Sequence, residues 1–213
     1  MDNPSENNNK INVPYFQQTH YSTCGVASLM MVMKYWDNSI KLSRNEEFFL
    51  WMKSNPFIFL GGTLQFGLAK TALKYGFKVH IYQKSKFSNI YPNKHKLIDF
   101  YEWVASYGAR HKKIPIQYNK NILEEIFISI TENIPPIVFI NLKPIIGENV
   151  LHWLVVTGIN KEKIYVNDPY IPYGSSVNQK KNIIIELDIF KKAIATDKSN
   201  GLRLPPCIIK IFR

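Results

Sequence analysis

The chain has 213 residues, 46% of them hydrophobic and 14% aromatic, and a formal net charge of +11. This composition excludes a largely disordered chain, and the length suffices for a hydrophobic core. No apolar run approaches the roughly 20 residues of a membrane-spanning helix. Basic residues are spread along the whole chain, so we expect no nucleic-acid partner. The denser groups at 94–96 and 110–113 flank an amphipathic segment and are typical of a solvated face.

Residues 1–10 are polar, rich in asparagine and free of the hydrophobic stretch that marks a secretory signal. We predict a disordered lead-in there, a single domain over residues 11–213 and a cytoplasmic location. The two cysteines, Cys24 and Cys207, are too few for a disulfide framework. Metal-binding spacings are absent from the sequence, so we expect no metal and no other cofactor. The sequence does not indicate which oligomeric state the protein has.

The first half of the chain is predicted to be mainly helical. A short extended segment at 13–17 ends in a polar turn, where Ser22 or Thr23 can cap a helix from Gly25 to about Trp36. This helix is apolar on nearly every face, which places it at the centre of a domain. Four further helices are predicted, one from a capping box at Ser43 through 51 and the others over 66–75, 98–107 and 122–130.

The second half is predicted to be rich in strands. After a first strand at 77–82, the alternating or buried patterns lie at 136–142, 150–159, 163–167, 182–186 and 208–212. Helices first and antiparallel strands second, with no alternation of strand and helix, predict an α+β fold.

Four residues carry groups suited to thiol chemistry. Cys24 lies where the polar turn meets the apolar helix, and Gln18 precedes it. His152 is near the start of one strand and Asp168 follows the end of the next. A thiol at a helix start, an amide that can reach an oxyanion, an imidazole and a carboxylate are the groups that thiolate acyl transfer requires.

The positions of His152 and Asp168 suggest a hairpin. Asn160, in a polar break, lies midway between them. An odd-length turn centred on Asn160 would place the two side chains directly opposite on adjacent strands, with Cβ atoms about 5 Å apart. A two-residue turn at Asn160 and Lys161 would make them diagonal neighbours. Either arrangement lets the carboxylate orient the imidazole.

Each of these residues also has a purely structural interpretation. A cysteine heading a buried helix often packs, a histidine in an apolar strand is often a core residue, and an aspartate before proline is often part of a turn. Cys207 precedes an apolar strand and is expected to be a buried, unreactive thiol. His20 is a rival base to His152, but it lies in a loop without a carboxylate partner. Together, the matched pair and the helix-start cysteine favour a catalytic site.

The same motifs resemble a known family. Gln18 with Cys24 and Gly25, the run 152–158 and the run 164–169 are similar to papain-like cysteine peptidases that process bacteriocin leaders at a double glycine. The stand-alone C39-like relatives are more similar still, since they also carry the Leu-Ser-Arg run at 42–44 and the glycine-rich segment at 61–69. The resemblance spans about residues 11–170. No transporter accompanies the motifs, so leader processing is not carried over.

This resemblance implies a papain-like fold, in which a helical half with the nucleophile helix packs on a carboxyl-terminal antiparallel sheet. It implies that Cys24 is the nucleophile, His152 the general base, Asp168 its orienting residue, and Gln18 with the Cys24 N–H the oxyanion donors. The expected function is a thiol-dependent hydrolase that cleaves a peptide or amide bond in a peptide or protein substrate. Two alternatives stay open: an acyltransferase or ligase with an amine acceptor, and a non-catalytic peptide-binding domain.

Overall fold

The structure, a computed structural model, describes residues 10–55, 62–90, 94–170, 181–195, 198–199 and 202–213. Its helices are α1 Cys24–Trp36, α2 Arg44–Ser54, α3 Gln65–Lys74, α4 His95–His111, α5 Ile122–Thr131, α6 Lys143–Ile146 and α7 Leu187–Ala195. Its strands are β1 Lys78–Gln83, β2 Ile116–Gln117, β3 Ile137–Asn141, β4 Leu151–Ile159, β5 Lys163–Asn167, β6 Ile183–Glu186, β7 Lys198–Ser199, β8 Leu202–Arg203 and β9 Cys207–Phe212. None of the described helices is long and apolar enough to cross a membrane.

The helix α1 forms the centre of the hydrophobic core. Every residue from Cys24 to Met33 is buried, as its apolar pattern predicts. It packs against β4, β3 and β9 and against the helices α2 and α3. Residues of both halves of the chain therefore share one core cluster.

The sheet has seven strands in the order β2-β1-β9-β3-β4-β5-β6. Its pairs are antiparallel, except that β1 runs parallel to the short β2. The predicted α+β class and the helix-on-sheet arrangement are confirmed. Two features differ from the expectation: β1, from the helical half, joins the sheet through the last strand β9, and α7 follows β6 directly.

The hairpin between β4 and β5 contains a bulge. Val156 pairs with Val166, but Gly158 pairs with Tyr165, so Thr157 is an extra residue in β4. The Thr157 carbonyl accepts a hydrogen bond from Ile11 N at 2.6 Å. Lys10 pairs with Gly158 in an isolated bridge. The lead-in predicted for 1–10 otherwise lies outside the described residues.

Candidate active site

Cys24 is the first residue of α1 and is buried, with 9% of its surface exposed. Thr23 occupies the N-cap position, but no side chain caps the helix there. The prediction that Ser22 or Thr23 caps it is therefore wrong, because the Thr23 hydroxyl instead donates to His20 O at 2.7 Å. The first-turn N–H groups thus keep their partial positive charge next to the thiol, which favours an anion at that position.

His152 and Asp168 lie on the two strands of the bulged hairpin. His152 Nε2 lies 2.7 Å from Asp168 Oδ1, and both side chains are buried. Of the two arrangements that the sequence left open, the directly opposite one is wrong and the diagonal one is found. Val155 pairs with Asn167, so the same register places Leu154, not His152, opposite Asp168. The residues are diagonal neighbours on one face, because side chains two positions apart along a strand share a face.

Cys24 is the second group that acts on the His152 imidazole. Burial by itself lowers the pKa of His152, but the charge of Asp168 and the neighbouring Cys24 side chain more than offset this and raise the pKa above its ordinary value. The imidazole is therefore bonded to Asp168 and lies within the electrostatic reach of Cys24.

Neighbouring groups hold Asp168 in place. Its Oδ1 also accepts from Tyr170 N at 2.9 Å, and its main-chain carbonyl accepts from Tyr15 OH at 3.0 Å. Burial, together with the charge of Asp168, raises the pKa of Tyr15. The ring of Tyr170 meets the His152 imidazole edge-on, with the centroids 5.8 Å apart. These contacts hold Asp168 and its carboxylate beside the imidazole.

Gln18 is buried beside the turn that precedes Cys24. Its main-chain N–H donates to Pro169 O at 3.0 Å, which ties this segment to the residue after Asp168. Its side-chain Nε2 donates to His20 O at 2.9 Å and, more weakly, to Tyr21 O at 3.4 Å. Its Oε1 is buried and has no hydrogen-bond partner among the described residues. The amide nitrogen of Gln18 is therefore bonded to the turn that precedes Cys24.

A carboxylate that the sequence analysis did not select supports this turn. Glu47, in the first turn of α2, is 1% exposed. Its two oxygens accept from Thr19 N at 2.9 and 3.1 Å, and one also accepts from the Thr19 hydroxyl. Glu47 consequently anchors the chain between Gln18 and Cys24. Its sequence position offers little signal, because acidic residues are common in the first turn of any helix.

The structure buries Trp153 and Cys207 and exposes His20. Trp153 is 2% exposed, and its Nε1 donates to Thr63 O at 2.9 Å. A Cβ on Gly25 would lie 2.9 Å from the Trp153 ring, so this glycine makes room for the indole beside the nucleophile. Cys207 is 1% exposed, and burial raises its pKa. His20 is exposed, and its Nδ1 lies 3.1 Å from Ser22 Oγ.

A groove of about 630 Å³ runs beside the amino-terminal end of α1. We call it the α2 groove. Thr19, His20 and Thr23 form one side, and residues of α2 form the other. Two of these, Phe48 and Phe49, are 56% and 44% exposed. The residue before the thiol therefore borders a surface suited to apolar side chains.

Comparison with known proteins identifies the family. The model of the Peptidase_C39 like family matches residues 13–202. The chain belongs to this family. The resemblance predicted from the motifs is thereby confirmed, and membership in the Peptidase_C39 like family supports a peptidase-type function. The search of the curated proteins found no match.

Solved structures give the fold. A C39-like peptidase from Bacillus anthracis is 16% identical, with 95% of this chain and 96% of that chain covered and a TM-score of 0.55. The peptidase domain of Streptococcus ComA, a bi-functional ABC transporter in quorum sensing, is 16% identical over 92% of this chain and 96% of that one, with a TM-score of 0.48. A double glycine motif protease from an AMS/PCAT transporter, in complex with the leader peptide, is 17% identical over 94% and 93%, with a TM-score of 0.43. The Bacillus structure thus places this member of the Peptidase_C39 like family in the papain-like fold.

Among the described residues, no three His, Cys, Asp or Glu side chains cluster as a metal site needs.

Proposed function

We propose that the protein is a thiol-dependent hydrolase that cleaves a peptide or amide bond through Cys24, His152 and Asp168. One observation carries the proposal: the buried His152 is bonded to Asp168 at 2.7 Å, and the Cys24 side chain is among the groups that raise the pKa of this imidazole. A nucleophile, a base and an orienting group in hydrogen-bond contact are the arrangement that activates a thiol. The Peptidase_C39 like family supports a peptide bond as the target.

In the proposed mechanism, the Cys24 thiolate attacks the carbonyl carbon and the carbonyl oxygen becomes an oxyanion. The His152 imidazolium then gives its proton to the leaving amine, the C–N bond breaks and a thioester remains on Cys24. Water, deprotonated by His152, hydrolyses the thioester and releases the acid. Asp168 stabilises the imidazolium and fixes the ring orientation throughout.

The oxyanion is proposed to be held by the Cys24 main-chain N–H and by Gln18. Of the two hydrogen bonds that Gln18 Nε2 donates, the one to Tyr21 O is the longer and weaker, at 3.4 Å. We propose that the amide gives up this bond when it donates to a substrate oxygen. Removing one such donor costs about 10²–10³ in kcat in enzymes with an oxyanion hole. The α2 groove, next to Thr23, is proposed to receive an apolar part of the substrate.

Intact-mass spectrometry with candidate peptides tests the proposal. We expect an acyl adduct on the wild type that is lost to water while a cleaved peptide accumulates. Cys24→Ala should show no adduct, whereas Cys207→Ala, which removes the other thiol, should behave as the wild type does. An adduct released only by an added amine would indicate a transferase. Tight peptide binding without any adduct would indicate a binding domain, and an adduct on Cys207 would overturn the proposal.

Two variants separate the roles of the supporting residues. Asp168→Asn should keep the geometry but favour the wrong imidazole tautomer, a change that costs about 10⁴ in rate in serine enzymes. Gln18→Ala should slow acylation but leave the pH dependence of Cys24 alkylation unchanged, because the amide acts on the oxyanion and not on the sulfur. Full turnover in Asp168→Asn would contradict the proposed role of the carboxylate.

A further inference from the structure

The outer face of α4 exposes large apolar side chains. Leu97, Phe100, Trp103 and Tyr107 are 66%, 62%, 51% and 55% exposed. Their spacing of three and four residues puts them on one side of the helix, and we call them the α4 stripe. Buried Glu102, Ser106 and Ala109 lie on the side of α4 that faces the core. The apolar face that the α4 stripe forms is therefore directed away from the core.

The rings of the α4 stripe form a continuous row. Phe100 and Trp103 are stacked, with centroids 6.2 Å apart and planes at 17°. Trp103 and Tyr107 are 5.9 Å apart, and Tyr107 and His111 are 6.0 Å apart. The Arg110 guanidinium lies 5.3 Å from the centroid of the Trp103 ring. Within this row, the faces of Phe100 and Trp103 are thus turned toward each other.

Basic side chains surround this row. Lys94, Lys96, Arg110, Lys112 and Lys113 are all exposed at the two ends of α4, whereas Asp99 is the exposed acidic residue of the helix. Glu102 points inward, where its carboxylate accepts from Phe87 N at 2.9 Å. An apolar, aromatic centre between cationic ends is the pattern of helices that lie in the plane of a membrane interface. Trp and Tyr are enriched at that depth.

We infer that α4 binds the surface of an anionic lipid membrane, with the α4 stripe in the headgroup region and the basic residues on lipid phosphates. Charge complementarity selects this occupant. A second copy would bring two cationic faces of a chain with net charge +11 against each other. A single-stranded nucleic acid needs free ring faces for its bases, whereas here Phe100 and Trp103 stack on each other and the Arg110 guanidinium lies over the Trp103 ring. The inference does not depend on the thiol chemistry.

Co-sedimentation of the full chain with lipid vesicles tests it. We expect binding to phosphatidylcholine vesicles that contain phosphatidylglycerol, weak binding to pure phosphatidylcholine, and loss of binding at high salt, since surface charge is screened. Equal binding to both vesicle types would overturn the inference. So would sedimentation without vesicles, which would indicate self-association, or displacement of the protein from vesicles by a single-stranded oligonucleotide.

Paired variants locate the surface. Phe100→Ser with Trp103→Ser should lower the bound fraction by at least about tenfold, because apolar burial in the interface is lost. The control, Ile184→Ser with Phe127→Ser, removes exposed apolar residues of β6 and α5 and should leave binding unchanged.

The basic residues are tested in the same way. Lys96→Glu with Lys112→Glu should abolish binding. Lys161→Glu with Lys181→Glu makes the same change in net charge away from α4 and should only weaken binding. Thermal melting checks that each variant is folded, and controls that abolish binding as fully as the α4 variants would refute the assignment.

Discussion

At the scale of single residues, the proposed chemistry depends on a buried imidazole near two groups that favour its protonated form. Burial alone would keep His152 neutral, but Asp168 and Cys24 raise its pKa. Opposite charges in contact favour each other, so an imidazolium at His152 favours the thiolate at Cys24. The reactivity of the thiol should therefore follow the state of His152.

Replacing His152 tests this coupling directly. In His152→Ala, the thiol loses its cationic neighbour, so alkylation of Cys24 by iodoacetamide should need a higher pH than in the wild type. The rate of alkylation measured as a function of pH, with peptide mapping to assign the cysteine, gives the shift. His20→Ala is the matched control, since His20 is exposed and bonded to Ser22. If both variants retain the wild-type profile, His152 does not activate the thiol.

At the scale of elements, the turn before α1 is held by a neighbouring helix. Both oxygens of the buried Glu47 accept hydrogen bonds from Thr19, so α2 fixes the segment that carries Gln18 toward Cys24. A neutral amide would replace one acceptor with a donor group facing the Thr19 donors.

Glu47→Gln should accordingly lower the free energy of unfolding by about 1–3 kcal/mol, the range for leaving a buried partner unsatisfied. Hydrogen exchange of the peptide around Thr19 should become faster, and acylation should slow. Glu46→Gln is the control on the same helix turn. The Tyr75 hydroxyl donates to Glu46 Oε1 at 2.9 Å, and an amide oxygen at this position can still accept that hydrogen bond. Equal stability and equal exchange in the two variants would show that Glu47 is not an anchor.

A second contact between elements depends on a glycine. A Cβ at Gly67 in α3 would lie 2.0 Å from the Ser54 carbonyl oxygen at the end of α2, so alanine forces the two helices apart. Gly67→Ala should lower the free energy of unfolding, measured with urea, by about 1–3 kcal/mol or more. Gly108→Ala in α4 is the contrasting case. Its Cβ would meet only the flexible Lys70 side chain at 3.1 Å, and alanine is the better helix former, so its stability should change little. A similar loss in both variants would contradict this account.

Local patterns predicted most elements, since burial of an apolar face leaves a period in the sequence. The strand at 163–167 has the predicted bounds, and α1 and α5 differ by a residue at one end. The apolar spacing of Leu187, Phe190 and Ile194 would also have predicted α7. The Thr157 bulge could not be predicted in this way, because its carbonyl is bonded to Ile11, far away in the chain.

The same distinction holds for the site. The residue types and their order selected Cys24, His152 and Asp168; the structure bonds His152 to Asp168, and Cys24 is among the groups that raise the pKa of His152. Glu47 and Tyr15 were missed because their roles arise from long-range contacts, with Thr19 and with the Asp168 carbonyl. A single sequence records which groups are present but not which loop a buried carboxylate supports.

At the scale of the whole molecule, the site is coupled to global stability. His152 is buried in the core that joins the helices to the sheet, and its pKa in the folded protein is raised by Asp168 and Cys24. A histidine whose folded pKa exceeds its unfolded value, about 6.5, stabilises the fold through its protonated form. That contribution is complete below the unfolded pKa and is lost as the pH rises through the folded pKa.

Two variants test this coupling: Cys24→Ser, and the double variant Cys24→Ser with His152→Gln. The difference between their free energies of unfolding should shrink as the pH rises. The serine removes the thiol, so that the pKa of His152 in this background is set by burial, which lowers it, and by the charge and hydrogen bond of Asp168, which raise it. We expect the effect of Asp168 to prevail. Urea unfolding at a series of pH values from about 6 upward, above the range in which carboxylates titrate, measures the difference. We expect the largest difference near pH 6 and a steady decrease at higher pH. A difference that grows with pH would mean that the folded protein prefers a neutral His152. In that case Asp168 would not hold the imidazolium on which the proposed chemistry depends.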